Sequence, residues 1–170
     1  AFNAGARALC DRYGAQLIFD EVVTAFRIGM SGAQGYFGII PDLTVFGKVV
    51  AGGYPSAGGV GGKEELMRFL AAGIKGGGGE KALVGGTLAA NPLSSAAGYW
   101  TLREIVETGA CEKAGAAGDR LTAGLEQLIR KYSLPFVAFN QGSICHLETV
   151  GTMLMHIDLA RFWTIKKTIK

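Results

Sequence analysis

The sequence has no run approaching the ~18 apolar residues of a membrane-spanning helix, so no membrane partner is expected. Charge is scarce. There are 17 Lys plus Arg against 14 Asp plus Glu, and charged residues make up 18% of the 170, too few for a disordered chain. The formal charge of +3 equals the contribution of Lys166, Lys167 and Lys170, which leaves the remainder neutral. With no basic stripe, no nucleic-acid partner is expected. Cysteine is limited to Cys10, Cys111 and Cys145, with neither CxxC nor Cys–His metal spacing, which reads as free thiols in a reducing compartment. His146 and His156 lack ligand partners at metal spacing, so no metal is expected. The start, AFNAGARALC, lacks the basic-then-apolar layout of a signal peptide, and the cytoplasm is the expected location. G-x-S-x-G is absent, which removes support for an acyl-transfer hydrolase, and no internal repeat is visible.

Hydrophobic residues, by contrast, make up 49% of the chain, enough for a sizeable core. Glycine, at 27 residues, is about double its usual share. It is clustered without a G-X-Y period, which indicates tight turns and close backbone approaches rather than collagen. Ala4 to Tyr13 reads as a helix feeding AQLIF at 15–19, a short apolar run suited to a buried parallel strand. Asp20 and Glu21 follow where that strand reaches its carboxyl end, the edge at which open α/β sheets place their chemistry. Ala25 to Gly38 reads as a glycine-rich loop, and LTVF at 43–46 as a second strand ended by Gly47-Lys48. The next stretch, VVAGGYPSAGGVGG, is too rich in glycine for a helix, although Ala57 to Val60 suits a narrow strand.

Farther on, Glu64 to Ala72 reads as a short helix and KGGGGEK at 75–81 as a mobile loop. Leu93 to Glu107 reads as a helix opened by Pro92 and buried along Leu93, Ala97, Trp100 and Ile105. A further helix over about 115–132 carries Leu121, Leu125, Leu128, Ile129 and Tyr132 on one face. FVAF at 136–139 and ICHL at 144–147 suggest strands of a second unit, with the boundary near Glu107 to Lys113. The expected division is therefore 1–109 and 110–170.

A lysine directly after a buried strand, set among glycines in GKVVAGG, is a candidate for chemistry as well as for a plain surface position. An amine in a partly apolar pocket loses its proton more readily and becomes a Schiff-base nucleophile toward an aldehyde. Asp20 is its natural counterpart, because a carboxylate against the ring nitrogen of pyridoxal phosphate keeps that nitrogen protonated. Both residues stand at expected strand ends, so they can meet over one pocket. LIFDE also fits a Walker-B strand, but that reading requires GxxxxGK[ST]. Lys48 is followed by Val, Lys81 is followed by Ala, and Asp42 stands six places before Lys48. Thr87, in GGT before Asn91-Pro92, suits a phosphate contact, and the alternative is an ordinary Thr or Asn capping the helix start. Val22 suits either a cofactor-ring contact or core packing. Phe26, Tyr36, Phe37 and Tyr54 are candidate pocket lining, and the scattered methionines read as packing.

Taken together and in order, LIFDEVVTAFRIG, SGAQGYFGIIPDLTVFGKVVAGGYP, GGVGG and GGTLAANPLSSAAG closely resemble the class III aminotransferases of PLP fold type I. The resemblance is nearest to the glutamate-1-semialdehyde aminomutase group. It is firm over about 9–102, looser to 147, and slight after Gly151. It implies an α/β fold: an aspartate-aminotransferase-like large domain with a mostly parallel sheet and flanking helices, followed by part of a smaller α+β domain. It also implies pyridoxal 5'-phosphate as cofactor, Lys48 as the residue of the internal aldimine and proton shuttle, Asp20 on the pyridine nitrogen, and Val22 behind the ring. Thr87 would hold the cofactor phosphate of the neighbouring subunit, in a homodimer with composite active sites. The implied reaction is amino-group transfer on a small amino, keto or semialdehyde substrate, as an aminotransferase or an aminomutase.

Two departures qualify the resemblance. The family usually has Gly where this chain has Ala25. Its upstream serine- or glycine-rich phosphate cradle and stacking aromatic have no counterpart before Asp20. The expectation is therefore an internal fragment of such an enzyme, with a truncated or degenerate non-catalytic piece as the alternative.

Overall fold

The first helix, α1 (Phe2–Tyr13), ends where Gly14 takes a positive φ and the Ala15 N–H returns to the Cys10 carbonyl. The computed structural model describes residues 2–54, 58–70, 81–82 and 85–149. The chain divides into two compact units, Ala1–Lys113 and Ala114–Lys170.

In the first unit, β1 (Ile18–Asp20) pairs in parallel with β2 (Leu43–Phe46), in the register Ile18↔Leu43 to Asp20↔Val45. β3 (Gly59–Gly62) adds to the other side of β2 antiparallel, so the sheet is mixed, in the order β1-β2-β3. LTVF thus occupies the position expected of it, with Thr44 buried at the centre. The β1 ladder starts three residues later than the apolar run suggests, because pairing begins only where β2 runs alongside.

One end of this sheet is tied by a single carboxylate. Asp42, 2% exposed, accepts from Leu17 N–H at 2.6 Å, Arg7 Nη1 at 2.8 Å and Lys63 Nζ at 2.6 Å. It thereby joins α1, the entry to β1, the entry to β2 and the exit from β3. The Leu17 N–H, then Lys63, then Arg7 hold its carboxyl well below the usual carboxylate range. Since the folded-state pKa is depressed, the stabilisation is present above the unfolded value of about 4 and is lost as pH falls through that region and below. We expect the urea midpoint of the intact protein to drop below about pH 4. Asp42→Asn should lower stability at neutral pH by about 3 kcal/mol, since it breaks a buried charge cluster, and should flatten the acid dependence. An unchanged acid slope in Asp42→Asn would show that other carboxylates carry it.

Glu64–Met67 forms α3, which tightens into a 3-10 turn at Arg68–Leu70. The rest of the expected helix, 71–72, and the glycine tract at 75–80 lie outside the described residues. The segment after β2 is not wholly irregular, because Lys48–Ala51 makes a 3-10 turn.

Helix α4 (Pro92–Thr108) is capped as its sequence indicates. The Asn91 side chain accepts from Ser94 N–H at 2.9 Å, Pro92 opens the first turn, and Gly109 closes the helix at φ +61°. Its buried face matches the expected one in part, with Ala97 and Ile105 half-buried. Ser94 and Gly98 are buried, whereas Leu93 and Trp100 are 61% and 64% exposed. The physical reason is the closeness of approach: a Cβ at Gly98 would collide with the Val50 carbonyl, so only small residues can face the 3-10 turn.

Helix α5 (Ala110–Lys131) likewise agrees in part in the second unit, with Leu125 and Ile129 half-buried as expected. Gly118 and Thr122 are buried while Leu121, Leu128 and Tyr132 are exposed. A Cβ at Gly118 would come within 2.5 Å of the Gly142 carbonyl. That glycine lies in the turn joining β4 (Val137–Gln141) and β5 (Ile144–Glu148), an antiparallel pair at the two apolar segments read as strands. No helix among the described residues is long and apolar enough to cross a membrane.

Candidate active site

The parallel register sets the site. β1 and β2 run side by side and end together, with Asp20 opposite Val45 and Lys48 two residues past Phe46. Asp20 and Lys48 therefore stand at the carboxyl ends of neighbouring strands, the edge where open α/β sheets carry their ligands. Val22 lies between them. A Cβ added to Gly47 would come within 3.2 Å of Val22 Cγ1, so the Val22 side chain rests directly on the bare backbone preceding Lys48.

Lys48 has φ +51°, in the left-handed region that side chains avoid. Such strain, of order 1–3 kcal/mol, persists only where the surroundings impose it, and it gathers at working sites. Here the chain leaves β2 in extended form at Gly47 and must turn at once into the 3-10 turn, closed by Gly52 N–H to the Val49 carbonyl at 2.9 Å. Lys48 is exposed and makes no ion pair among the described residues. The partial desolvation expected for it is not supplied by those residues.

Asp20 is also exposed. Its Oδ1 accepts the Val22 N–H at 3.0 Å, and Oδ2 has no partner among the described residues. Among the cavities bordered by described residues, the two groups line different ones. Asp20 lines a recess of about 280 Å3 with Phe2, Asn3, Phe19 and Thr24, whereas Lys48 lines an open groove of about 490 Å3. The groove also takes in Arg27, Tyr54 and Thr101. Of the four aromatics considered for pocket lining, Tyr54 alone borders it. Thr87 is exposed in the turn before α4 and borders neither cavity. The cap of that helix is Asn91 rather than Thr87.

Two features escaped sequence reasoning. The first is a helix, α2 (Gly32–Phe37), inside the segment read as a glycine-rich loop. Its first turn is capped from outside by Glu21, which is fully buried and accepts the N–H groups of Ala33 and Gln34, each at 2.8 Å, and the Thr24 hydroxyl. Gly32, at φ +59°, lies so close that any Cβ there would strike the Glu21 carboxylate. The only local signal was the acidic pair after LIF, and it does not say which carboxylate turns inward. The second is Arg27, whose Nη1 donates to the Val23 carbonyl at 2.9 Å beside the Lys48 groove.

Ala25, the departure from the family pattern, is 4% exposed and is not among the residues with positive φ. Its methyl group is accommodated, with its N–H donating to the Glu21 carbonyl at 3.0 Å. In the second unit His146 pairs with Glu148 at 2.6 Å on an exposed surface, while His156 lies outside the described residues. No group of three or more His, Cys, Asp or Glu residues able to hold a metal occurs among the described residues.

Comparison with known proteins gives a consistent result. The profile of the family described as "Aminotransferase class-III" matches residues 1–165. A glutamate-1-semialdehyde 2,1-aminomutase from Legionella pneumophila (strain Corby) is 46% identical over 143 residues, 84% of this chain and 32% of that protein. An omega-transaminase from Sphaerobacter thermophilus superposes with a TM-score of 0.74 at 35% identity, over 86% of this chain and 32% of that one. A glutamate-1-semialdehyde aminomutase from Pseudomonas aeruginosa PAO1, solved in complex with PMP, gives 0.72 at 31% identity, over 86% and 33%. The chain spans about a third of the length of the curated relatives it matches.

Proposed function

Since the chain belongs to the class-III aminotransferase family, with the α/β fold of PLP fold type I, we propose that Lys48 and Asp20 are the amine and carboxylate of a pyridoxal-phosphate site for amino-group transfer. The observation that carries this reading is the parallel register that ends β1 and β2 together, with Val22 packed on Gly47 between the two groups.

The donor set suits the cofactor. An amine without an ion pair among the described residues meets the chemistry of an aldehyde, a carboxylate oxygen is left over for a ring nitrogen, and an isopropyl group offers a ring face. Bound pyridoxal phosphate supplies an electron-poor ring that stabilises negative charge at the carbon bearing the amino group. Asp20 maintains the positive charge on the ring nitrogen, Val22 supports the ring face, and Lys48 Nζ takes and returns the proton at the reacting carbon. Thr87, which borders neither cavity of its own chain, donates its hydroxyl to the cofactor phosphate in a second copy, so the active unit is a homodimer.

The substrate is a small amino, keto or semialdehyde compound. Returning the amine to the adjacent carbon of the same molecule makes the protein an aminomutase, and passing it to a second carbonyl compound makes it a transaminase. Turnover of a semialdehyde substrate without an added amine donor distinguishes the two.

Borohydride reduction of the intact protein with its cofactor, followed by peptide mapping, should place the pyridoxyl group on Lys48. An adduct on another lysine removes the assignment, and the absence of any cofactor band favours a non-catalytic role. The same measurement over a dilution series tests Thr87, because labelling that is insensitive to dissociation of the dimer argues against a composite site.

A further inference from the structure

Glu21 is buried more completely than any other large side chain among the described residues, yet the proposed chemistry makes no use of it. A buried carboxylate without a cation is costly unless donors surround it. Here the donors are the Ala33 and Gln34 N–H groups, each at 2.8 Å, and the Thr24 hydroxyl. No ion pair to Glu21 occurs among the described residues.

The backbone of the same residue is tied twice. Its N–H extends the β1–β2 ladder to the Val45 carbonyl at 2.9 Å, and its carbonyl accepts Ala25 N–H at 3.0 Å. Glu21 thus joins three things at one point: the end of β1, the turn carrying Val22, and the first turn of α2. Asp20 precedes it directly, and the Asp20 carboxylate is oriented by the Val22 N–H within that same turn. From this we infer that Glu21 is a positioning residue, whose buried carboxylate clamps the turn after β1 and so sets the direction of Asp20 and Val22 toward the cofactor ring. The inference rests on the assignment of Asp20 to the ring nitrogen.

The test uses the intact protein reconstituted with pyridoxal phosphate. Glu21→Gln keeps the size of the side chain but turns an amide donor toward N–H donors, so the clamp loosens. Loss of a charged hydrogen bond corresponds to a rise of about tenfold in the cofactor dissociation constant, accompanied by a weaker visible circular-dichroism band from the bound cofactor. Thr24→Val removes a single donor and should shift both readings in the same direction by less. It carries the test if Glu21→Gln fails to fold.

Asp20→Asn separates this inference from the reading beneath it. If Asp20→Asn changes the band and both clamp variants leave affinity and band as in the wild type, with only the melting temperature lowered, Glu21 is structural and the inference is overturned. If Asp20→Asn itself leaves the band unchanged, the Asp20 assignment falls and takes the inference with it.

Discussion

Replacing Lys48 by alanine in the intact protein is expected to lower kcat by about ten-thousandfold, the scale of losing a positioned proton carrier, and to remove the borohydride-trapped adduct. Lys48→Arg should be nearly as damaging, because a guanidinium keeps the charge but neither bonds an aldehyde usefully nor gives up a proton. The pair of variants distinguishes a reactive amine from a merely cationic surface residue. A Lys48→Arg protein with more than about a tenth of wild-type activity would mean that charge is what position 48 supplies. The backbone sharpens the expectation. Lys48 sits at φ +51°, a conformation that alanine tolerates no better, so truncation removes the amine without relieving the strain around it. Far-UV spectra should therefore stay unchanged while activity disappears.

Much of the framework around the strand ends was legible because it depends on local signals. LTVF became β2 at its expected bounds, and Asn91-Pro92 opened α4 as a cap and first turn should. Those features are written in a few adjacent residues. The features that were misread depend on partners distant in sequence. α2 hid within SGAQGYFG because its start is capped by Glu21, eleven residues before Gly32, and not by Ser31, which makes no side-chain cap hydrogen bond. The buried faces of α4 and α5 were read only in part, for a related reason. Periodicity favours Leu93, Trp100, Leu121 and Leu128, but backbone approaches at Gly98 and Gly118 bury the small residues instead. Hydrophobic pattern shows which side chains seek cover, and it does not show how closely the neighbouring backbone comes.

Asp20→Asn is expected to cost about a hundredfold to a thousandfold in kcat, the scale of losing one electrostatic contact to developing charge, while the cofactor remains bound. The amide fits the same space and can still accept the Val22 N–H, so the turn should hold. What it lacks is the negative charge that maintains a protonated ring nitrogen. The absorbance of the bound cofactor should therefore change together with the rate. Retention of the wild-type rate would leave Asp20 without the role assigned to it, whatever the fate of Lys48. The effect should exceed that of any change at Val22, whose contact with Gly47 is apolar and contributes through shape alone.

The carboxylate that gathers Arg7, Leu17 and Lys63 lies at the opposite end of the sheet from Asp20 and Lys48. The three strands are thus riveted at one margin by charge and left without ion pairs among the described residues at the margin that would do chemistry. Such a sheet resembles a fan held at its handle. The held end resists opening until acid releases it, while the other end is kept in order by the hydrogen bonds of Glu21, with no ion pair to Glu21 among the described residues.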